Sequence, residues 1–83
     1  MKLQYFQHKA NYVFDLQFSD AYRTEVDLAP LLQPYLSENA LHSAQIDPDW
    51  GCLTFNNGMV DIELKTLYRY VRERENDEAY PVS

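Results

Sequence analysis

From Tyr12 to Phe18 the chain alternates strictly, with Tyr12, Phe14, Leu16 and Phe18 on one face and Val13, Asp15 and Gln17 on the other. A period of two predicts a half-buried β-strand. Leu3 to Gln7 predicts an earlier strand, ended by the polar stretch His8-Lys9-Ala10-Asn11 that returns the chain into Tyr12. The strand that follows is set by the loop Ser19-Asp20-Ala21. A three-residue loop places Phe18 opposite Tyr22 and Phe14 opposite Val26, and it sets Gln17 against Arg23 and Asp15 against Glu25. The last pair is a like-charge contact, mildly destabilising unless solvated. Ala21 takes the left-handed position of that loop, where a residue with a Cβ pays roughly 1–2 kcal/mol that glycine avoids. Strain or a distorted turn is expected there.

A second alternating region organises the rest. In Gly51-Cys-Leu-Thr-Phe-Asn-Asn-Gly-Met-Val-Asp-Ile62 the pair Asn57-Gly58 is a two-residue hairpin signal, because a type I′ turn needs positive φ at both central positions. That loop puts Phe55 opposite Val60, Leu53 opposite Ile62, Thr54 opposite Asp61 and Cys52 opposite Glu63, so one face is wholly apolar. A three-residue loop would set Asp61 against Leu53, so turn chemistry and hydrophobic pattern agree on the two-residue register. Upstream, His42 to Ile46 alternates as a strand. Pro48-Asp49-Trp50-Gly51 returns it as a four-residue loop, with Ile46 opposite Leu53 and Ala44 opposite Phe55.

Two stretches read as helix. Asp27 stands where an N-cap belongs, ahead of Leu28-Ala-Pro-Leu-Leu, and Pro30 is tolerable in a first turn. Pro34 restricts Gln33 and ends this helix after barely two turns, with Leu28, Leu31 and Leu32 as its buried side. Tyr35 to Leu41 is irregular or a single turn, with Ser37 and Asn39 available as caps. Leu64, Leu67, Tyr68 and Val71 then follow the i, i+3, i+4, i+7 spacing of an amphipathic helix that lids the sheet. Its outer face carries Lys65, Arg69 and Arg72, and Arg74 in the last turn suits the negative end of the helix dipole. The expectation is an α+β domain over residues 1–75. It has one antiparallel sheet of about five or six short strands, a short helix after the second hairpin strand and a longer C-terminal helix. Residues 76–83 read as a frayed polar and acidic tail.

Length and composition narrow the function. Eighty-three residues make one domain with a thin core, and seven Tyr, four Phe and one Trp compensate with large buried areas. A net charge of −6 repels nucleic acid and anionic membrane, so direct nucleic-acid binding is disfavoured and a basic or neutral partner fits better. A lone cysteine rules out an intramolecular disulfide. No apolar run approaches the roughly 20 residues of a membrane span, and the N-terminus is too short in apolar residues for a signal peptide. A cytoplasmic protein is the expectation.

No catalytic, cofactor or metal set emerges. Cys52 lies beside Glu63 in the hairpin register, and a neighbouring carboxylate raises a thiol pKa instead of activating it. The two histidines, His8 and His42, lack metal-ligand spacing. Asp61 and Glu63 point the same way along one strand and read as a solvated or helix-capping pair in preference to an acid–base couple. The only glycines, Gly51 and Gly58, form no phosphate-cradling loop. The remaining candidates are partner contacts. Trp50 at a turn tip either offers contact area or folds back over the core, Tyr68, Tyr70 and Tyr80 are aromatic candidates, and Lys65, Arg69 and Arg72 form the one cationic stripe. For that stripe a solvated face is favoured over phosphate contact.

Phe18-Ser-Asp-Ala21, Asp27-Leu28, Gly51-x-Leu53-x-Phe55-Asn-Asn-Gly58-x-x-Asp61-Ile62 and Leu67-Tyr68, in that order, resemble the small bacterial family catalogued as domain of unknown function 2442. The likeness runs from about Leu3 to Tyr70. The chain departs from that pattern at Ala21, where the family has glycine, and at Phe55, where it has tryptophan. The resemblance implies a single α+β domain with an antiparallel sheet and no catalytic residue set. It also implies a partner-binding or antitoxin-like role, since members stand alone, beside another small protein or joined to a helix-turn-helix domain. These 83 residues show no helix-turn-helix, so the DNA-binding implication is not expected to transfer. The reading is a non-enzymatic interaction module that self-associates or binds a small protein partner. The alternative is a component of transcriptional regulation or an antitoxin-like protein with weak or indirect nucleic-acid contact.

Overall fold

The two alternating regions fold as two separate sheets. The structure, a computed structural model, describes the backbone of residues 1–79 and the side chains of residues 1–74. Strands β1 (Leu3–Ala10), β2 (Val13–Phe18) and β3 (Arg23–Asp27) pair antiparallel in that order. The β2–β3 register is the one expected from the loop, with Phe14 opposite Val26 and Gln17 opposite Arg23. Ala21 is left-handed at φ 71°, and its N–H donates to the Phe18 carbonyl at 3.0 Å. Asp15 does face Glu25. The repulsion is answered diagonally by the Arg23 guanidinium, whose Nη2 and Nε donate to the two Asp15 oxygens at 2.7 and 3.2 Å.

The first hairpin is longer than its apolar pattern suggests. β1 continues past Gln7 to Ala10, and the turn contracts to Asn11-Tyr12 with Asn11 at φ 50°, a conformation asparagine tolerates. Backbone pairing with β2 carries the polar residues His8 to Ala10 along, although β1 shifts register twice. Tyr12 leaves the strand yet stays buried, its hydroxyl donating to the Leu36 carbonyl at 2.7 Å.

Helix α1 (Ala29–Leu32) is a single turn, shorter than expected. Leu28 occupies the cap position, and Asp27 Oδ1 still accepts the Ala29 N–H at 2.9 Å. The predicted strand over His42–Ile46 is a correction: Glu38–Ser43 form a 3₁₀ segment and only Gln45–Ile46 (β4) are strand. Ser43 supplies a reason, because its hydroxyl donates to the Ala40 carbonyl at 2.6 Å and accepts the Asn56 N–H at 2.9 Å, offering the backbone an alternative to a ladder. Ile46 nevertheless pairs with Leu53 as the loop length required.

Strands β5 (Leu53–Phe55) and β6 (Val60–Ile62) keep the expected hairpin register, and β4-β5-β6 form the second sheet. Asn57 and Gly58 are left-handed at φ 58° and 87°, and the Met59 N–H donates to the Asn56 carbonyl at 3.2 Å. Asn56 is left-handed too, at φ 54°. The turn therefore widens beyond two residues, and the ladder ends at Phe55 and Val60.

The single sheet read from the sequence is corrected to two of three strands each. A β4 of two residues offers almost no edge on which the first hairpin could continue a ladder. The sheets meet instead through side chains, with the Phe14 and Phe55 rings edge to face at 6.2 Å, and through a backbone bond from the Leu3 N–H to the Gly51 carbonyl at 2.9 Å. Gly51 permits this approach: at φ +70°, a Cβ there would lie 2.5 Å from Lys2 Cβ. Helix α2 (Leu64–Ala79) covers the core with fully buried Leu67 and Val71. It continues beyond Glu75, where the tail was expected to begin, and residues 80–83 lie outside the described residues. Among the described residues no helix is long and apolar enough to cross a membrane.

Candidate interaction surface

The loop before β5 is held from within by one carboxylate. Asp47 Oδ1 accepts the N–H groups of Asp49 and Trp50 at 2.8 and 2.9 Å, while the Asp47 carbonyl accepts the Gly51 N–H at 2.8 Å and its N–H donates to the Cys52 carbonyl at 2.9 Å. These bonds close the four-residue loop and hold Trp50 at its tip. The side chain does not fold back over the core: it is 77% exposed. Trp50 borders an open depression of about 510 Å³, lined also by Met1, Asp47, Cys52, Asp61, Glu63 and Leu64. Met1 is also exposed, Leu64 half-buried.

This depression gathers three carboxylates and no lysine or arginine. Asp61 projects from β6 and Glu63 from the link to α2 because strand alternation puts them on the same side, opposite buried Ile62. Cys52, also in the lining, is buried, 8% exposed. Burial pushes its thiol pKa up, and the charges of Asp47 and Asp61 push it further in the same direction. A thiol so placed is held protonated, the opposite of an activated nucleophile. Neither histidine is paired with it. His8 stacks on Phe14 with centroids 4.8 Å apart and donates from Nε2 to the Asn11 carbonyl at 2.6 Å, while exposed His42 sits in the 3₁₀ segment. Among the described residues no group of three or more His, Cys, Asp or Glu side chains is arranged to hold a metal ion.

The cationic stripe is divided in its use. Lys65, Arg69 and Arg72 all border a second, mostly apolar depression of about 430 Å³, contiguous with the first through Met1 and Leu64. Arg72 is engaged inside the molecule, its guanidinium lying 4.5 Å from the Tyr22 ring centroid and 5.8 Å from that of Tyr68. Tyr68 in turn packs edge to face on Phe18 at 5.0 Å and donates its hydroxyl to Asp20 Oδ2 at 2.7 Å. That bond, joined by the Tyr22 N–H, holds the Asp20 carboxyl below its ordinary pKa. Tyr70 is half-buried and fastens α2 to the end of β3, its hydroxyl donating to the Asp27 carbonyl at 2.7 Å. Burial, with the nearby charge of Asp27, raises its pKa against the opposing pull of Arg74.

Of the seven residues singled out as partner contacts, Trp50, Lys65 and Arg69 thus stand at the surface with their side chains available, Tyr68 is taken up by Phe18 and Asp20, and Tyr80 lies outside the described residues. Tyr70 and Arg72 are committed to packing α2. The sequence reading did not bring Met1, Asp47 or Leu64 to this surface. Asp47 carried a signal, since an aspartate ahead of Pro48-Asp49 favours an Asx turn, whereas Met1 arrives through the tertiary bonds of its neighbours, Leu3 to Gly51 and Lys2 to Ser19. Comparison of the chain with protein-family models, curated proteins and solved structures gave no match.

Proposed function

We propose that the chain is a protein-interaction module without catalytic chemistry of its own, which self-associates or binds a small protein partner through the Trp50 face. One observation carries this reading: a tryptophan 77% exposed on a loop whose backbone is held in place by Asp47. An indole displayed on an ordered loop presents large contact area at little entropic cost, as interface hot spots do. The resemblance to the family of domain of unknown function 2442 belongs to the same proposal, and the left-handed Ala21, at φ 71°, suits a position where that family has glycine.

The test is capture from lysate of the source organism by the tagged chain and by its Trp50→Ala variant, with native mass spectrometry of each purified protein. A stoichiometric small partner or a homo-oligomer, lost in the variant, is the expected result. A monomer that captures nothing, or equal capture by both proteins, refutes the module. The second reading, nucleic-acid contact in a regulatory or antitoxin-like protein, draws on exposed Lys65 and Arg69. Its weakness is that Arg72 is stacked on Tyr22 and the net charge is −6. Duplex-DNA affinity that falls with salt and vanishes on Lys65→Glu/Arg69→Glu would favour it.

A further inference from the structure

Deepening the interaction-module reading and resting on it, we infer that the partner presents a basic segment, with a lysine or arginine side chain seated between the Trp50 indole and the Asp61/Glu63 edge. The depression supplies an apolar wall, Met1, Leu64 and Trp50, to take the methylene stem of such a side chain. Its charged side chains, Asp47, Asp61 and Glu63, are all negative, against the single ammonium of the Met1 N-terminus. The Asp61 and Glu63 carboxylates have no hydrogen-bonding or ion-pair partner among the described residues, in contrast to Asp15 and Asp20, which have Arg23 and Tyr68.

The Trp50 ring is similarly unused. Among the described residues no aromatic or cationic side chain stacks on it, while the Tyr5, Tyr22, Tyr68 and Tyr70 rings each have a guanidinium within 5.8 Å. An aromatic face beside two open carboxylates matches a cation in both shape and charge. A second copy of this chain fits less well, because bringing together two molecules of charge −6 at their acidic faces is repulsive. An acidic or phosphate-bearing partner is repelled for the same reason.

Trp50 is the sole tryptophan, so its emission reports occupancy of the depression directly. The full chain is titrated with acetylated hexa-arginine amide at low salt, with hexaglutamate as the opposite-charge probe. Two double variants with equal net charge are compared, Asp61→Asn/Glu63→Gln at the depression and Glu25→Gln/Glu38→Gln away from it, each checked for folding by circular dichroism. A saturable emission change is expected for hexa-arginine alone. Affinity should fall about tenfold in the Asp61/Glu63 variant and stay within about twofold in the Glu25/Glu38 variant.

Equal weakening in both variants would reduce the effect to overall charge and overturn the proposal, as would a flat titration. If hexa-arginine fails while Trp50→Ala still abolishes partner capture, the basic partner is wrong and the Trp50 interface stands. If Trp50→Ala leaves capture unchanged, the interface reading itself fails. A native mass showing a dimer, with emission insensitive to hexa-arginine, would replace the basic partner with a second copy.

Discussion

Two aromatic neighbourhoods flank the start of β1, where the Lys2 carbonyl accepts the Ser19 N–H and the Leu3 N–H donates to the Gly51 carbonyl, and the molecule treats them differently. At the β2–β3 turn, Phe18, Tyr22 and Tyr68 pack ring against ring with centroids 5.0–6.1 Å apart. Arg72 covers two of those rings, and Asp20 accepts the Tyr68 hydroxyl. At the β4–β5 loop, Trp50 stands 77% exposed beside Asp61 and Glu63. Both neighbourhoods combine aromatic rings with carboxylates, yet only the first is closed on itself. Aromatic content alone therefore does not mark a binding surface. On the proposed reading, what marks one is a ring and a charge held in place by ordered backbone and left without an internal partner.

That contrast is open to attack at three points, the first of which carries the largest effect. Phe18→Ala removes a fully buried ring from the closed neighbourhood and should cost about 3–5 kcal/mol in a urea unfolding curve. For a domain of ordinary stability, about 5–15 kcal/mol, that is a large share of the whole. A loss below about 1 kcal/mol would mean the aromatic packing around Tyr68 is not part of what holds the fold.

Gly51→Ala strikes the open neighbourhood. Left-handed φ alone costs an alanine roughly 1–2 kcal/mol, and the new Cβ must displace Lys2, whose Cβ is 2.5 Å away. The expected outcome is a lower urea midpoint together with an altered Trp50 emission spectrum, since the same residue joins the two sheets and borders the loop. Unchanged emission would show that the Trp50 loop keeps its form independently of the bond between Leu3 and Gly51.

The smallest effect is one of pH. Asp20 is held below the ordinary aspartate value of about 3.9, chiefly by the Tyr68 hydroxyl. The folded state then binds fewer protons than the unfolded one. This contribution to stability is complete above the unfolded value and is lost as pH falls through the folded one. Asp15, lowered chiefly by its hydrogen bond from Arg23, acts with the same sign. Tyr68→Phe should leave Asp15 unaffected and make the drop in melting temperature between about pH 5 and pH 2 shallower. An unchanged acid slope would exclude the bond between Tyr68 and Asp20 as a stabilising contact.

How far the sequence could be read follows from the range of each interaction. Register was legible wherever a turn and an alternation lay close together: Phe14 opposite Val26, Phe55 opposite Val60 and Ile46 opposite Leu53 all follow from loop length and period. Left-handed Ala21, Asn57 and Gly58 were legible for the same reason. His42–Ile46 was misread because alternation over a few residues competes with local side-chain bonding, and Ser43 tips the balance through a contact to Asn56 across the fold. At the surface, Trp50 could be named as a candidate but not placed, since nothing local decides whether a turn tryptophan folds inward.

By itself the sequence determined the registers of β2 with β3 and of β5 with β6, the amphipathic face of α2 and an acidic charge, all of which rest on periodicity, turn conformation and composition. Only the tertiary structure decided that the hairpins form two sheets, because a shared edge depends on how much ladder β4 offers. It also decided which aromatic and charged side chains are used up inside the molecule. Tyr68 and Asp20 are 48 positions apart, and Tyr70 reaches Asp27 across 43. Bonds of that span arise from packing α2 on the core, beyond the reach of any local pattern.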